Sequence, residues 1–319
     1  MDNKWRVSPS PHLRSGATTR NIMLDVIIAL CPALIAAGVL FGLSAILTVA
    51  VCVASCVATE FVARKIMKRD NTIGDLSAVV TGLLLAFNLP PTIHPVIAAL
   101  GGVVAIGVVK QMFGGLGQNF VNPAITARIV LIVSFPAAMS KWVQPFFYQL
   151  SADVVTAATP LGILKEGSDT QSLPSTLELL FGLRGGCLGE VCSIALIIGG
   201  VYLMIRRVIS PVIPLCYIGT VFIGTLILGE NPIFHVLSGG LLLGAFFMAT
   251  DYATSPINVK GRIVFAIGCG LLTTVIRIFS TYPEGVSFSI ILMNILVPHI
   301  EKLTQPKPFG EERKRREKA

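Results

Sequence analysis

Charged residues are scarce in this chain. Asp, Glu, Lys and Arg make up 13% of its 319 residues, whereas soluble domains carry about 25%. Apolar residues make up 53%, and the mean hydropathy is +0.78. Because so few charges cannot cover a water-facing surface, the apolar surplus must face lipid. The composition therefore excludes an ordinary soluble enzyme and predicts an integral membrane protein.

Common signatures of metal and nucleotide chemistry are also missing. The seven cysteines form no Cys-x-x-Cys pair, and the four histidines show no metal-ligand spacing. The chain has no Walker A motif and no dinucleotide-binding glycine fingerprint, so we do not expect ATP or NAD to bind in those ways. Most cysteines fall where a small apolar residue would serve, although Cys187 and Cys192 could form a disulfide.

Apolar runs that are long enough, or nearly long enough, to cross a bilayer recur along the chain. A span needs about 20 residues, and the runs predict an all-α membrane protein with about ten transmembrane helices. Several runs are short and interrupted by proline, which is typical of broken helices at a buried site. The predicted spans are Asn21–Leu40, Gly42–Val62, Thr72–Leu89, Val96–Val109, Asn119–Phe135, Gly186–Ile205, Val212–Leu228, Pro232–Thr250, Ile263–Ile278 and Val286–Ile300.

The basic residues predict the orientation. Lys and Arg concentrate in cytoplasmic loops, and with both termini inside, 20 of the 25 basic residues fall on the cytoplasmic side. The basic tail, 301–319, is then a topological anchor beside anionic membrane lipid, with recruitment of a cytoplasmic partner as the alternative. This distribution explains the net charge of +8 without nucleic acid as a partner. A polar stretch precedes the first span without a small-residue cleavage site, so we expect no cleavable signal peptide.

Two similar stretches predict an internal repeat. Thr81–Phe87 (TGLLLAF) resembles Gly239–Phe246 (GGLLLGAF), and a break containing proline follows each. Since five spans is an odd number, two five-helix repeats would be inverted relative to each other. The predicted organisation is a cytoplasmic segment (1–20), a first membrane repeat (21–135), an extracytoplasmic loop (136–185), a second membrane repeat (186–300) and a cytoplasmic tail (301–319).

Four stretches carry a resemblance to a known family: Ser8–Gly16, Ile22–Leu30, Gly114–Ala124 and Phe247–Pro256. Over nearly its whole length the chain resembles the D subunit of the Rnf complex, the ion-translocating ferredoxin:NAD⁺ oxidoreductase. This family also includes the B subunit of the sodium-pumping NADH:quinone reductase. The resemblance implies a subunit of the bacterial cell membrane that relays electrons between partner subunits, coupled to Na⁺ or H⁺ translocation, and that does no chemistry alone.

The resemblance also implies cofactors and partners. Proteins of this family carry FMN joined through its phosphate to a threonine hydroxyl. A second, non-covalent flavin, riboflavin or FMN, is implied near the cytoplasmic side. The implied partners are other Rnf subunits: a flavin-bearing G-type subunit outside, the iron–sulfur membrane subunits A and E, and the cytoplasmic subunits B and C.

Two stretches compete for the family's attachment motif, D-x-x-[ST]-G-A-T, in which the last threonine is modified. Ser15–Thr18 matches the short core, but His12 stands where the motif has aspartate. The predicted topology also places Thr18 in the cytoplasm.

The second stretch, Asp153–Thr159, lies outside, where the family's flavin transferase works. It has the leading Asp153, Thr156 at the Ser/Thr position and the final Thr159, with alanine in place of glycine. We therefore predict that FMN is attached to Thr159, and that Asp153 is a recognition or metal-positioning residue for the transferase rather than a redox participant. Without the topology and the resemblance, an ordinary polar loop with a turn is the favoured interpretation.

Ionisable residues within spans are costly and usually functional. Asp25, Glu60 and Asp75 lie near the predicted interface, where solvation or pairing with Lys or Arg is favoured. Arg128 and Asp251 are the better candidates because each accompanies a break containing proline. They could pair with each other, bind the second flavin or line an ion path.

Three hypotheses for the function follow. The first is an electron-transfer subunit of a redox-driven ion translocase. The second is a secondary transporter, which inverted repeats and broken helices would equally support. The third is a scaffold that only holds other subunits together. A flavin covalently bound to the denatured chain would separate the first hypothesis from the other two.

Overall fold

The computed structural model describes residues 18–149, 158–165, 173–280 and 285–306. The regular structure in these residues is helical, as predicted. Two π-helices, Val104–Gln111 and Gly244–Met248, continue α4 and α12, and 3₁₀ turns occupy Ile73–Asp75 and Phe147–Gln149. The α-helices are α1 (Thr19–Phe41), α2 (Leu43–Ile66), α3 (Ser77–Phe87), α4 (Pro95–Val103), α5 (Pro123–Ser134), α6 (Pro136–Met139), α7 (Pro160–Lys165), α8 (Thr176–Phe181), α9 (Ser193–Ile205), α10 (Val212–Ile227), α11 (Pro232–Leu237), α12 (Leu241–Leu243), α13 (Val259–Phe279) and α14 (Val286–Thr304).

Four of the described helices, α1, α2, α13 and α14, are each long and apolar enough to cross a bilayer. Their lengths of 23, 24, 21 and 19 residues agree with the requirement of a span. Five further apolar helices, α3, α4 with its π-helix, α5, α9 and α10, have 10–17 residues. The membrane part therefore combines full-length helices with shorter ones whose ends must find hydrogen-bond partners inside the protein.

A capping residue followed by proline marks the beginning of several short helices. His94, Asn122 and Asn231 each precede a proline, and each side chain accepts a hydrogen bond from a backbone N–H of the first turn. Proline is favourable at this position because the N–H that it lacks would have no partner in the helix. The helix predicted from Asn119 consequently begins only at Pro123.

The predicted span Pro232–Thr250 is interrupted, as its short length suggested, but at glycine rather than proline. It consists of α11, α12 and the second π-helix, with a turn between Leu237 and Leu241. Gly239 has a φ of 63° there, a left-handed conformation that costs glycine little.

Contacts between helices join the two halves of the chain. Within the first half, α2 packs against α3 and α4; within the second half, α10 packs against α11 and α13. Between the halves, α1 packs against α9 and α5 packs against α14.

Glycines permit the closest of these approaches. A Cβ atom on Gly199 of α9 would lie 2.1 Å from the carbonyl oxygen of Ala29 in α1. One on Gly82 of α3 would lie 2.7 Å from the Cα atom of Val53 in α2. Small residues at such contacts are what lets helices associate in lipid, where the hydrophobic effect does not drive them together.

The α1–α9 contact yields a first prediction. We expect Gly199→Ala to lower the melting temperature of the purified chain in detergent, because overpacking costs about 1–3 kcal/mol. The matched control is Gly219→Ala in α10, where an added Cβ meets no atom within 4 Å and alanine favours the helix. Equal melting temperatures for the two variants would contradict the prediction.

Candidate functional site

The predicted attachment residue, Thr159, lies directly before α7. Its side-chain oxygen accepts a hydrogen bond from the N–H of Gly162 at 3.2 Å, and the residue is 8% exposed. The hydroxyl thus caps the first turn of α7 while keeping its own proton to donate. Asp153 and Thr156, which were predicted beside it, lie outside the described residues.

Two cavities meet at the start of α7. The smaller, of about 10 Å³, is lined by Thr159, Arg184 and Glu190 among others and has room for roughly one water molecule. The larger, of about 870 Å³, shares Pro160, Arg184 and Gly185 with it. We call the larger cavity the α7 pocket; its volume lies within the range of small-molecule sites, about 300–1,000 Å³.

Arg184 lies where these cavities meet and is only 6% exposed. Its Nη2 donates to the carbonyl oxygens of Glu190 and Leu237, each at 2.8 Å. Its Nη1 is buried and has no hydrogen-bond partner among the described residues. Burial, assisted by the nearby Arg277, lowers the pKa of Arg184 to about 10, so the guanidinium keeps its charge at neutral pH.

The predicted cation Arg128 pairs with the carboxylate of Glu190. The Nη1 of Arg128 lies 3.1 Å from a carboxylate oxygen of Glu190 and donates to the side-chain oxygen of Asn88 at 2.7 Å. Its Nη2 donates to the sulfur of Cys187 at 3.4 Å. Arg128 therefore pairs with Glu190 and not with Asp251, which lies in a different pocket. Cys187 is a free thiol, as is Cys192.

Several cations lie near Glu190 in the part of the chain that the structure describes. Arg277 of α13 donates to the carbonyl oxygens of His235 and, at 3.0 Å, Ser238, and it interacts electrostatically with Glu190 and Arg184. Lys165 of α7 also interacts electrostatically with Arg277. This group, which we call the cation cluster, comprises four cations and one carboxylate: Arg128, Lys165, Arg184, Arg277 and Glu190.

One further carboxylate lines the α7 pocket. Glu178 accepts a hydrogen bond from the N–H of Ser175 at 2.7 Å, while Ser175 accepts one from the N–H of Glu178. These reciprocal bonds form a capping box at the start of α8. Glu178 is exposed, so solvent screens its charge from the buried arginines.

A second pocket lies between the two halves of the chain, and we call it the π-helix pocket. Both π-helices contribute to it, through Lys110 from the first and Phe246 and Phe247 from the second. Asp251 and Asn122 also line it, and its enclosed volume is about 110 Å³. Isolated stretches of π-helix are frequently found at functional sites.

A buried ion pair supports one wall of the π-helix pocket. The Nζ of Lys110 lies 3.0 Å from a carboxylate oxygen of Glu60 and donates to the hydroxyl of Ser77 at 2.5 Å. Thr72 and Gln111 also donate to the Glu60 carboxylate, at 2.7 and 3.2 Å. Glu60 was expected near the interface and paired; it is paired, but it is fully buried.

The structure thus separates the predicted residues into two places. Glu190 connects Thr159 with Arg128. It lines the same cavity as Thr159, and its carboxylate pairs with the guanidinium of Arg128. Asp251 faces the π-helix pocket, where its carboxylate accepts a hydrogen bond from Thr254 at 3.2 Å. Sequence reasoning missed Arg184 and Glu190 as site residues, although charged residues beside an apolar run were a usable signal.

The Arg128–Glu190 pair yields a second prediction. We expect Glu190→Gln to destabilise the chain by about 3–5 kcal/mol, because Arg128 is left as a buried charge without its carboxylate. The control is Asp25→Asn, which breaks a pair with Arg206, whose side chain is 58% exposed; such pairs contribute about 0–1 kcal/mol. The measurement is thermal unfolding in detergent, and similar losses for both variants would contradict the prediction.

Known proteins of one family are similar to the chain over nearly its whole length. The family model described as NQR2, RnfD, RnfE family matches residues 6–310. The chain is 53% identical to the D subunit of the Na⁺-translocating ferredoxin:NAD⁺ oxidoreductase complex of Acetobacterium woodii, over 95% of each chain. It is 42% identical to the D subunit of the proton-translocating ferredoxin:NAD⁺ oxidoreductase complex of Clostridium ljungdahlii, over 98% of each. It is 39% identical to the D subunit of the ion-translocating oxidoreductase complex of Stutzerimonas stutzeri, over 91% of each. The chain therefore belongs to the NQR2, RnfD, RnfE family.

Proposed function

We propose that this chain is the D-type membrane subunit of a ferredoxin:NAD⁺ oxidoreductase complex that moves ions across the membrane. The observation that carries the proposal is the identity of 53% over 95% of both chains with a protein of that name. The apolar helices α1, α2, α13 and α14 supply the membrane anchorage that the role requires. One relative is named for Na⁺ and another for protons, so either ion is compatible with the proposal.

Ten crossings with both ends in the cytoplasm are part of the proposal. The distribution of basic residues supports the direction. The contacts support an inverted repeat, in which α1, α2, α4 and α5 correspond to α9, α10, α13 and α14. Under this correspondence α2–α4 and α10–α13 are equivalent pairs. The α1–α9 and α5–α14 contacts join each helix to its own counterpart, which is compatible with a two-fold axis between these helices.

We further propose that Thr159 carries FMN through a phosphodiester. The Oγ1 of Thr159 would attack the flavin-side phosphorus of a flavin dinucleotide on a separate transferase. A new O–P bond forms, the pyrophosphate P–O bond breaks, a nucleoside monophosphate leaves, and the hydroxyl proton passes to the transferase or solvent. The residues present fit the product, because Arg184 lines the same cavity as Thr159 and its Nη1 has no hydrogen-bond partner among the described residues.

The attached FMN would supply one- and two-electron redox chemistry at this face of the protein. The chain's own residues would bind and position it. The α7 pocket gives the ring a volume of about 870 Å³ beside Pro160, and Phe146 and Leu173 offer apolar walls. Since Thr159 is only 8% exposed, the transferase would act while the start of α7 is undocked.

The second, non-covalent flavin is proposed for the π-helix pocket. Phe246 and Phe247 give apolar surface there, while Asn119, Asn122 and Asp251 give hydrogen-bonding groups. The enclosed volume of about 110 Å³ is smaller than that of a typical ligand site. A flavin would therefore be only partly enclosed, with the rest of the molecule outside the pocket.

Covalent flavin attachment is tested by two threonine variants. We expect Thr159→Ala to abolish the flavin fluorescence of the denatured chain in a gel, since the accepting hydroxyl is removed. The matched control is Thr18→Ala, at the competing motif, where the hydroxyl only caps α1 by accepting from the N–H of Asn21 at 3.3 Å. Fluorescence that persists in Thr159→Ala, or disappears in Thr18→Ala, would overturn the assignment.

The orientation is tested by cysteine labelling in intact cells. Lys141 and Arg207 are both exposed. In the proposed topology Lys141 lies outside the cell and Arg207 lies on the cytoplasmic side. We expect a membrane-impermeant maleimide to label Lys141→Cys from outside, and to label Arg207→Cys only after the cells are permeabilised. The unsubstituted chain sets the background from its native cysteines. Labelling of Arg207→Cys in intact cells would show that the orientation is wrong.

A further inference from the structure

We infer that Arg184 binds a phosphoryl anion beside Thr159, through the Nη1 that has no hydrogen-bond partner among the described residues. The inference rests on the proposed function for the source of that anion, the flavin phosphate. Its physical basis, however, is the arginine itself and can be tested without any flavin.

The first argument is the incomplete hydrogen bonding of a buried guanidinium. Arg184 is 6% exposed, and its Nη2 already donates to two carbonyl oxygens, those of Glu190 and Leu237. Its Nη1 has no partner among the described residues. A buried donor without a partner costs about 1–3 kcal/mol, and more when it is charged. Two neutral carbonyl groups orient the guanidinium but do not neutralise it.

The second argument is the distribution of charge. The buried carboxylate near Arg184 belongs to Glu190, and that carboxylate is held by Arg128 at 3.1 Å. Arg277 adds further positive charge beside Arg184. Since buried charges in proteins are paired or bind ions, an anion at Nη1 would balance the charge of Arg184.

The third argument is geometric. Arg184 and Gly185 line both the small cavity with Thr159 and the α7 pocket. An anion on the Thr159 oxygen would lie in this small cavity beside Arg184, which must widen to hold it, while the group attached to the anion would extend into the α7 pocket. Arginine suits this role because its planar guanidinium forms strong, directional hydrogen bonds with phosphate oxygens. Arg184 would thus fix the phosphate end of the flavin and leave the ring to the pocket walls.

A charge-dependent double-mutant cycle tests the inference without flavin. The chain is produced without the flavin transferase as Thr159→Glu and Thr159→Gln, each with Arg184 intact and with Arg184→Gln. The carboxylate of Glu stands in for the phosphoryl anion, and Gln has the same shape without the charge. With Arg184 intact we expect Glu to melt roughly 2–4 °C above Gln, and with Arg184→Gln we expect the difference to vanish.

Two further variants control the cycle. Arg184→Lys keeps the positive charge and should retain part of the difference, which also covers the case that Arg184→Gln does not fold. Arg206→Gln removes an arginine that is paired with Asp25 elsewhere and should leave the difference unchanged. An equal Glu–Gln difference with and without Arg184 would overturn the inference.

The source of the phosphoryl group is distinguished in the flavin-loaded chain. If the anion is the phosphate linked to Thr159, attachment should raise the melting temperature of the wild-type chain and not that of Arg184→Gln. If a lipid headgroup or inorganic phosphate occupies the site instead, either should raise the melting temperature of the flavin-loaded wild-type chain further, and the assignment of the anion to the phosphate on Thr159 would be rejected. Absence of covalent flavin from the wild-type chain would refute the proposed attachment, while the charge cycle would still decide the role of Arg184.

Discussion

The buried ion pair between Arg128 and Glu190 holds the candidate flavin site in place. Arg128 lies on α5, in the first half of the chain, and Glu190 lies on the segment that leads into α9, in the second half. The backbone oxygen of Glu190 then accepts a hydrogen bond from Arg184. Because Arg128 engages the Glu190 carboxylate, Arg184 keeps its charge available for another anion. The pair thus both connects the halves and determines the charge of the cavity beside Thr159.

Short helices in a membrane impose the second constraint, since their terminal carbonyl groups cannot turn to water. At the end of α3, the N–H groups of Gly189 and Leu188 donate to the carbonyl oxygens of Phe87 and Leu89, at 2.9 and 3.1 Å. At the end of the second π-helix, Asn122 donates to the carbonyl oxygen of Met248 at 3.3 Å. Both of these helix ends are therefore completed by a segment from the other half of the chain. The π-helix pocket, which Asn122 lines, lies beside the second of them.

The two pockets differ in the kind of ligand they suit. The α7 pocket is large and bordered by buried arginine, which suits an anionic tail with a bulky group attached. The π-helix pocket is smaller, mostly apolar and supported by the neutralised pair of Glu60 and Lys110. Under the proposed function, the two pockets would hold two flavins at separate positions, one tethered by Thr159 and one without a covalent bond.

Composition and pattern were sufficient for the membrane class, the all-helical architecture and the family. Scarce charge indicates a lipid environment, and apolar runs of about 20 residues cross lipid as helices. Local proline and glycine residues marked most of the breaks. The beginnings of helices were less predictable, because caps such as Asn122 moved α5 inward from the edge of its apolar run. The flavin-site prediction rested on a short motif, of which Thr159 lies within the described residues.

What the sequence by itself determined is therefore the solvent, the helices and the candidate threonine, since these follow from local composition and motif. Only the tertiary structure decided which charges meet. Arg128 pairs with Glu190, 62 residues away, and not with Asp251, and Arg184 joins them through a backbone carbonyl group. A buried charge is satisfied by whatever lies within hydrogen-bonding distance after folding, and that neighbour is chosen by the packing of helices distant in sequence.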